Sequence, residues 1–82
     1  MSATEHHEQQ LIADAARLAL LQGKHQQAYQ LLTDALKRFP GFAGAYFLLS
    51  RIAYDFRNHL KEVEMLLGAH HLEPDNLEFI VY

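Results

Sequence analysis

The 82-residue sequence has no cysteine, two prolines and four glycines. Without cysteine, the chain can form neither a disulfide nor a thiolate-based zinc site. No apolar run is long enough to span a bilayer, and the first residues lack the basic-then-apolar order of a signal peptide. Seven basic residues stand against ten acidic ones, and no basic cluster occurs. We therefore expect a cytoplasmic protein that binds neither nucleic acid nor a membrane.

The scarcity of proline and glycine leaves long stretches in which apolar residues recur at helical spacings of three and four. Turn-forming pairs at Gly23-Lys24 and Pro40-Gly41 separate these stretches, and Pro74 stops the last. The apolar stripes are Leu11, Ala15, Leu18, Ala19 and Gln22; Ala28, Leu31, Leu32, Ala35, Leu36 and Phe39; Ala45, Leu48, Leu49, Ile52, Ala53 and Phe56; and Val63, Leu66, Leu67 and His70. Four helices are predicted, and residues 77–82 would begin a fifth.

The two prolines lie 34 residues apart, and the same offset aligns much of the chain without a gap. The aligned pairs are Arg17 with Arg51, Ala19 with Ala53, His25 with His59, Leu32 with Leu66, and Ala35 with Ala69. The sequence therefore predicts two copies of one helical hairpin. Repeat one covers about residues 9–42 and repeat two about residues 43–76.

This repeat resembles the tetratricopeptide repeat family over roughly residues 9 to 76. The family's unit is a helix-turn-helix with small residues at the contact between its helices and a proline after the second helix. The residues that carry the resemblance are Ile12, Ala15, Ala16, Ala19, Gly23, Ala28, Leu32, Ala35 and Pro40, then Tyr46, Leu49, Ser50, Ala53, Glu62, Leu66, Ala69 and Pro74. The resemblance implies an all-α, right-handed stack of two antiparallel helical hairpins, followed here by a short C-terminal helical segment at 77–82.

The second hairpin departs from the family's pattern. Glu62 stands where a small residue is typical, so its carboxylate must hydrogen-bond or turn toward water. Its turn has Arg57-Asn58 in place of Gly23-Lys24, and of these two only Asn58 tolerates the left-handed conformation well. Two outcomes stay open. The hairpin closes at Asn58, or it opens into one long helix and exchanges its last helix with a second chain, which gives a homodimer.

The chain offers no convincing metal, cofactor or catalytic site. Six histidines occur, but the two adjacent pairs at 6–7 and 70–71 would diverge by about 100° on a helix. His25 and His59 occupy equivalent places beside the turns, where packing explains them. A cysteine nucleophile and a glycine-rich phosphate loop are missing, and Ser50 lies in the middle of a helix. We expect neither enzyme activity nor a bound metal or cofactor.

The resemblance places the inner face of the stack on the first helix of each hairpin. The expected partner-binding residues on this face are Arg17, Leu20, Phe47, Arg51, Tyr54 and Asp55. Arg17 and Arg51 would stack one repeat apart beside apolar and aromatic side chains, which suits an extended peptide or its carboxylate. In the alternative interpretation, the two arginines pair with Asp14 and Asp55 on a solvated face.

The end of the chain is the second candidate surface. Terminal units of repeat arrays normally carry a polar face, whereas this chain ends in apolar residues. We expect these residues to be exposed and to take part in self-association, unless they belong to a longer array. They are Leu77, Phe79, Ile80 and Tyr82.

The function that the resemblance implies is a non-catalytic protein–protein interaction module that binds a peptide or protein partner, self-associates, or does both. The alternative is an N-terminal accessory region of a larger enzyme, such as a bacterial sulfotransferase or glycosyltransferase. Members of the family that bind chaperone tails use a lysine/asparagine clamp. Ala13 and Leu48 stand at positions of that clamp, so this class of partner is not expected.

Overall fold

The computed structural model describes residues 3–79, with Glu78 described by its backbone alone. Helices α1 (Ala3–Leu21), α2 (His25–Arg38), α3 (Ala43–Asp55) and α4 (His59–Leu72) precede a short 3-10 helix, η1 (Leu77–Phe79). Helix α1 packs on α2 and α3 packs on α4, while α3 also contacts both helices of the first hairpin. The expected all-α stack of two hairpins is confirmed. Within residues 3–79, no helix is both long enough and apolar enough to cross a membrane.

The first hairpin turns at Gly23, as the sequence predicts. Gly23 has a φ of 74°, in the left-handed region that glycine adopts without steric cost. Its N–H donates to the carbonyl of Leu20 at 3.0 Å, and the N–H of Lys24 donates to the carbonyl of Ala19 at 2.8 Å. This pair of bonds is a Schellman motif, which satisfies carbonyls that the end of α1 would otherwise leave unpaired.

The second turn repeats this geometry 34 residues later and closes the second hairpin. The N–H of Arg57 donates to the carbonyl of Tyr54 at 2.9 Å, and that of Asn58 donates to Ala53 at 2.8 Å. The left-handed residue is Arg57, with a φ of 57°, so the expectation that Asn58 would take this role is wrong. Asn58 is instead the N-cap of α4, where its side-chain oxygen accepts a hydrogen bond from the N–H of Lys61 at 3.2 Å.

Replacing Arg57 with glycine should stabilise the protein by about 1 kcal/mol, because a side chain at a left-handed position is strained. The expected rise in Tm is about 5 °C, measured by circular dichroism during thermal unfolding. Gly23→Ala is the matched control at the same place in the other repeat. It should lower stability by about 1 kcal/mol. A loss of stability in Arg57→Gly would contradict this account of the turn.

Small residues build the core. Nine alanines are buried among residues 3–79, and their small side chains let the helix backbones approach closely: Ala13, Ala16, Ala19, Ala28, Ala35, Ala43, Ala45, Ala53 and Ala69. Leu32 of α2 is the largest side chain among residues 3–79 that is fully buried. The hydrophobic core is therefore thin, and it depends on a few large side chains to fill the space between the hairpins.

The apolar stripe predicted for α1 faces outward except for Ala19, which is buried as expected. Leu11 and Leu18 are each more than half exposed, and Ala15 is exposed as well. Their equivalents one repeat later are buried against the first hairpin: Ala45, Leu49 and Ile52. These positions of the repeat are covered by a preceding hairpin, and none precedes α1 among the described residues. The buried face of α1 consists of Ala19 together with Gln9, Ala13 and Ala16.

The C-terminal segment folds back onto the second hairpin. Phe79 is only 4% exposed, and it packs on Ala43, Ala69 and the ring of Phe47, whose centroid is 5.1 Å away. The expectation that Phe79 would be exposed is therefore wrong. Helix η1 begins 34 residues after α3, so Phe79 covers the surface that a next helix would occupy. Leu77 is 80% exposed, whereas Ile80 and Tyr82 lie outside the described residues.

Candidate functional site

The first helices of the two hairpins, α1 and α3, carry the residues expected to bind a partner. Arg17, Arg51 and Tyr54 are exposed. Leu20 and Phe47 are half-buried and pack against the core, so each offers only part of its side chain to a ligand. We call the exposed face of α1 and α3 that carries Arg17, Arg51 and Tyr54 the inner surface.

The two arginines of the inner surface differ in their contacts. Arg17 Nη1 donates to Asp14 Oδ1 at 3.4 Å, and both side chains are more than half exposed. Such a pair contributes little to stability, because water screens it. Arg51 makes no ion pair with any residue in the described range 3–79. The pairing with aspartate that the alternative interpretation requires is therefore present for Arg17 and absent for Arg51.

Asp55 belongs to the contact between the hairpins. Its Oδ2 lies 3.0 Å from His25 Nε2, while His25 Nδ1 lies 3.2 Å from the carbonyl of Gly23. The His25 ring also meets the ring of Phe56 edge-on, with centroids 5.3 Å apart. Both ring nitrogens face oxygen acceptors, so only the doubly protonated ring can donate to both. Asp55 therefore joins the two hairpins and is less available to a partner than its neighbours.

The second repeat has no such junction within the described residues. His59, the equivalent of His25, is mostly exposed, and its Nδ1 lies 3.3 Å from Glu62 Oε1 on the same helix. Glu62 thus makes the hydrogen bond that its half-buried position requires. Among residues 3–79, no three histidine, aspartate or glutamate side chains cluster closely enough to hold a metal ion.

A groove of about 270 Å³ lies at one end of the inner surface, and it is called the inner groove. One face of α1 from His6 to Arg17, the first residues of α3 and the segment around η1 form its walls. Its lining includes Gln9, Arg17, Gly44, Glu73, Asn76 and Phe79. Sequence reasoning missed Gln9. Its spacing of four from Ala13 and seven from Ala16 is the signal that places it on the buried face of α1.

A larger groove of about 600 Å³ lies on the opposite side of α3, between α2 and α4, and it is called the outer groove. Its lining is mainly apolar and includes Tyr29, Leu36, Leu49, Ile52, Phe56 and Met65. The sequence did not reveal this groove, because most of these residues belong to stripes that were expected to fill the core. The two second helices stand apart instead of closing over α3, which leaves Phe56 exposed and Leu36 partly exposed, while Leu49 and Ile52 stay buried.

Comparison with protein families gave one match: a model described as tetratricopeptide repeat fits residues 19–69. The match covers 51 of the 82 residues, which is more than half of the chain. It begins at the end of α1 and reaches into the last turn of α4, so it includes both turns described above. Comparison with curated proteins and with solved structures found no match.

Proposed function

The chain belongs to the tetratricopeptide repeat family, and from this premise we propose that it is a non-catalytic module that binds an extended peptide along its inner surface. Repeats of this family are generally protein-interaction modules. In the alternative proposal, the module is an accessory region of a larger enzyme and uses the same surface to bind a peptide or protein. A cytoplasmic location is part of the proposal.

The single observation that carries the proposal is on α3, where Arg51, which has no acidic partner within residues 3–79, lies beside the exposed ring of Tyr54. Arg51 and Tyr54 are three residues apart on one helix, so they project from the same face. Arg51 has no acidic partner within residues 3–79, and the ring of Tyr54 is more than half exposed. Arginine and tyrosine are, with tryptophan, the side chains most enriched among the residues that supply binding energy at interfaces. Arg17 adds a second cation at the equivalent place on α1.

Selection from a peptide-display library against the chain should yield ligands that depend on both arginines. Replacing Arg17 and Arg51 together with alanine should weaken a selected peptide roughly thirtyfold, because two charge-assisted hydrogen bonds are lost. Fluorescence anisotropy with the labelled peptide measures the change. Lys37→Ala is the control, since it removes an exposed positive charge from α2, away from the inner surface. If the double variant and this control bind the selected peptide with equal affinity, the inner surface is not its binding site.

A second candidate function is self-association, and the exposed apolar side chains favour it. Leu60 is 87% exposed at the start of α4, and Leu77 is nearly as exposed on η1. Monomeric proteins rarely leave large apolar patches uncovered. A homodimer would cover these side chains, either by packing two faces together or by exchange of α4 between chains.

Sedimentation equilibrium at high micromolar concentration tests this candidate. A dimer is expected, and Leu60→Lys should shift it toward the monomer, because a buried unpaired charge is costly. Arg57→Gly separates the two kinds of dimer, since a relaxed turn disfavours the open hairpin and leaves face-to-face packing unchanged. A chain that stays monomeric at every concentration would rule out self-association.

A further inference from the structure

The contact between the two hairpins shows what covers the first helix of a repeat. On α3, Ala45, Leu49 and Ile52 are buried in a core that they share with Leu32 of α2. Leu36, one turn further along α2, packs against the same core. The apolar face of a first helix is therefore covered by the second helix of the hairpin before it.

The equivalent face of α1 has no such cover within residues 3–79. We call it the head face, and it consists of Leu11, Ala15 and Leu18, which lie 34 positions before the three buried residues of α3. All three are exposed, and the two leucines are each more than half exposed. Large apolar side chains that share one exposed face of a helix mark a surface that a partner covers.

The second helix of the last hairpin, α4, presents the complementary face. We call it the tail face, and it consists of Val63, Leu66 and Leu67. Leu66 is only half-buried, whereas its equivalent Leu32 is fully buried, and the other two residues are exposed. His70 stands where α2 has a leucine, so the face becomes more polar toward the end of α4. The part of α4 that would cover a following helix is therefore apolar and open.

We propose that the chain assembles head to tail, with the head face of one copy stacked on the tail face of another in the register of its own hairpin contact. This inference rests on the self-association described above and gives it two faces and a symmetry. Since head and tail are different surfaces, every added copy leaves one of each free, and the assembly grows beyond two copies. It also lengthens the inner surface, because Arg17 of an added copy follows Arg51 by one repeat.

Helix η1 opposes this assembly. In the repeat register, residues 77–79 of one copy and residues 9–11 of the next occupy the same place, and Phe79 stands where Leu11 of the incoming copy lies. Stacking therefore displaces η1, and the packing of Phe79 on Ala69 and Phe47 is lost. The contact between copies is thus weaker than the same contact within a chain, and it forms at high concentration.

Two complementary variants distinguish this contact from a closed dimer. Leu18→Lys blocks the head face and Leu67→Lys blocks the tail face, because each places an unpaired charge in the contact. Both residues are exposed in a single copy, so circular dichroism should show intact folds.

Sedimentation equilibrium from micromolar to millimolar concentration gives the readout. The mass of the unchanged chain should rise past that of two copies. Each variant alone should stay monomeric, since every contact needs one head and one tail. An equimolar mixture of the two variants should form a dimer and stop there, because its remaining head and tail are both blocked.

Two further variants test the register and the location of the contact. Phe79→Ala releases η1 and should raise the association constant about tenfold, provided that circular dichroism shows a folded chain. Weaker association of this folded variant would mean that η1 belongs to the contact, which overturns the proposal. Tyr54→Lys removes an exposed ring from the inner surface and should associate as the unchanged chain does. Loss of association in this control would place the contact on the inner surface and would also overturn the proposal.

The outcomes separate this inference from the proposals before it. If the unchanged chain associates but the mixed variants stay monomeric, the two copies use the same face or exchange α4, so self-association stands and the head-to-tail contact is overturned. The contact is likewise overturned if the single variants associate as the unchanged chain does. A chain that is monomeric at every concentration overturns both. Peptide binding to a monomeric variant tests the inner surface separately in each case.

Discussion

Replacing Leu32 with alanine is expected to lower the free energy of unfolding by about 3 kcal/mol. The Leu32 side chain is fully buried in the core that α1, α2 and α3 share, and much of that core is alanine. Alanine has no rotamers with which to fill a cavity, so the vacated space stays largely empty. A domain of this length has about 4–12 kcal/mol of total stability, so this loss would leave little margin.

Urea denaturation followed by circular dichroism measures the change, and the chain carries its own control. Leu66 occupies the same repeat position in α4 and is only half-buried. Leu66→Ala should therefore cost about half as much as Leu32→Ala. Equal losses at the two positions would mean that the second hairpin is covered in solution, which would point to self-association.

Replacing Phe79 with alanine is expected to lower stability by about 3 kcal/mol, at the low end for a buried phenylalanine because a terminal segment can fray. The ring covers Ala43, Ala69 and part of Phe47 at the open end of the second hairpin. Its removal would expose these side chains to water. Because Phe79 also lines the inner groove, the same change should open that groove on one side.

Leu77→Ala is the matched control for this prediction. Leu77 belongs to the same short helix and is mostly exposed, so its loss should change stability by less than about 0.5 kcal/mol. Thermal unfolding of the two variants in parallel gives the comparison. Similar small effects in both would show that η1 does not cover the end of the stack in solution.

The architecture could be predicted because it follows from local and periodic patterns in the sequence. The offset between Pro40 and Pro74 gives the repeat length, and the glycine at 23 gives the first turn. Alanines at equivalent positions indicate where helices touch. These signals are short-range or periodic, so they can be recognised without knowledge of tertiary contacts.

The incorrect predictions concern residues whose environment depends on a neighbouring hairpin. Leu11 and Leu18 have the spacing of core residues, but no preceding hairpin covers them within residues 3–79. Phe79 was expected to be exposed because no third hairpin follows α4 within residues 3–79, yet Phe79 itself covers the end of the second hairpin. Arg57 takes a strained conformation because the repeat geometry places residue 57 where Gly23 stands in the first turn.

The candidate site was predictable only in outline. Arg17, Arg51 and Tyr54 lie on the exposed side of the first helices, where the repeat pattern put them. Asp55 pairs with His25 across the hairpin contact, a choice of partner that depends on the distance between two helices. The outer groove depends on the gap between α2 and α4, and the sequence contains no periodic signal for such a gap.

Chemical-shift mapping of a display-selected peptide on the labelled chain is the most direct test of the central claim that the inner surface binds the partner. The account predicts that the largest shifts occur at Arg17, Arg51 and Tyr54 on α1 and α3. Shifts confined to the outer groove, at Tyr29, Phe56 and their neighbours, would contradict it and would place the interaction on the opposite side of the molecule.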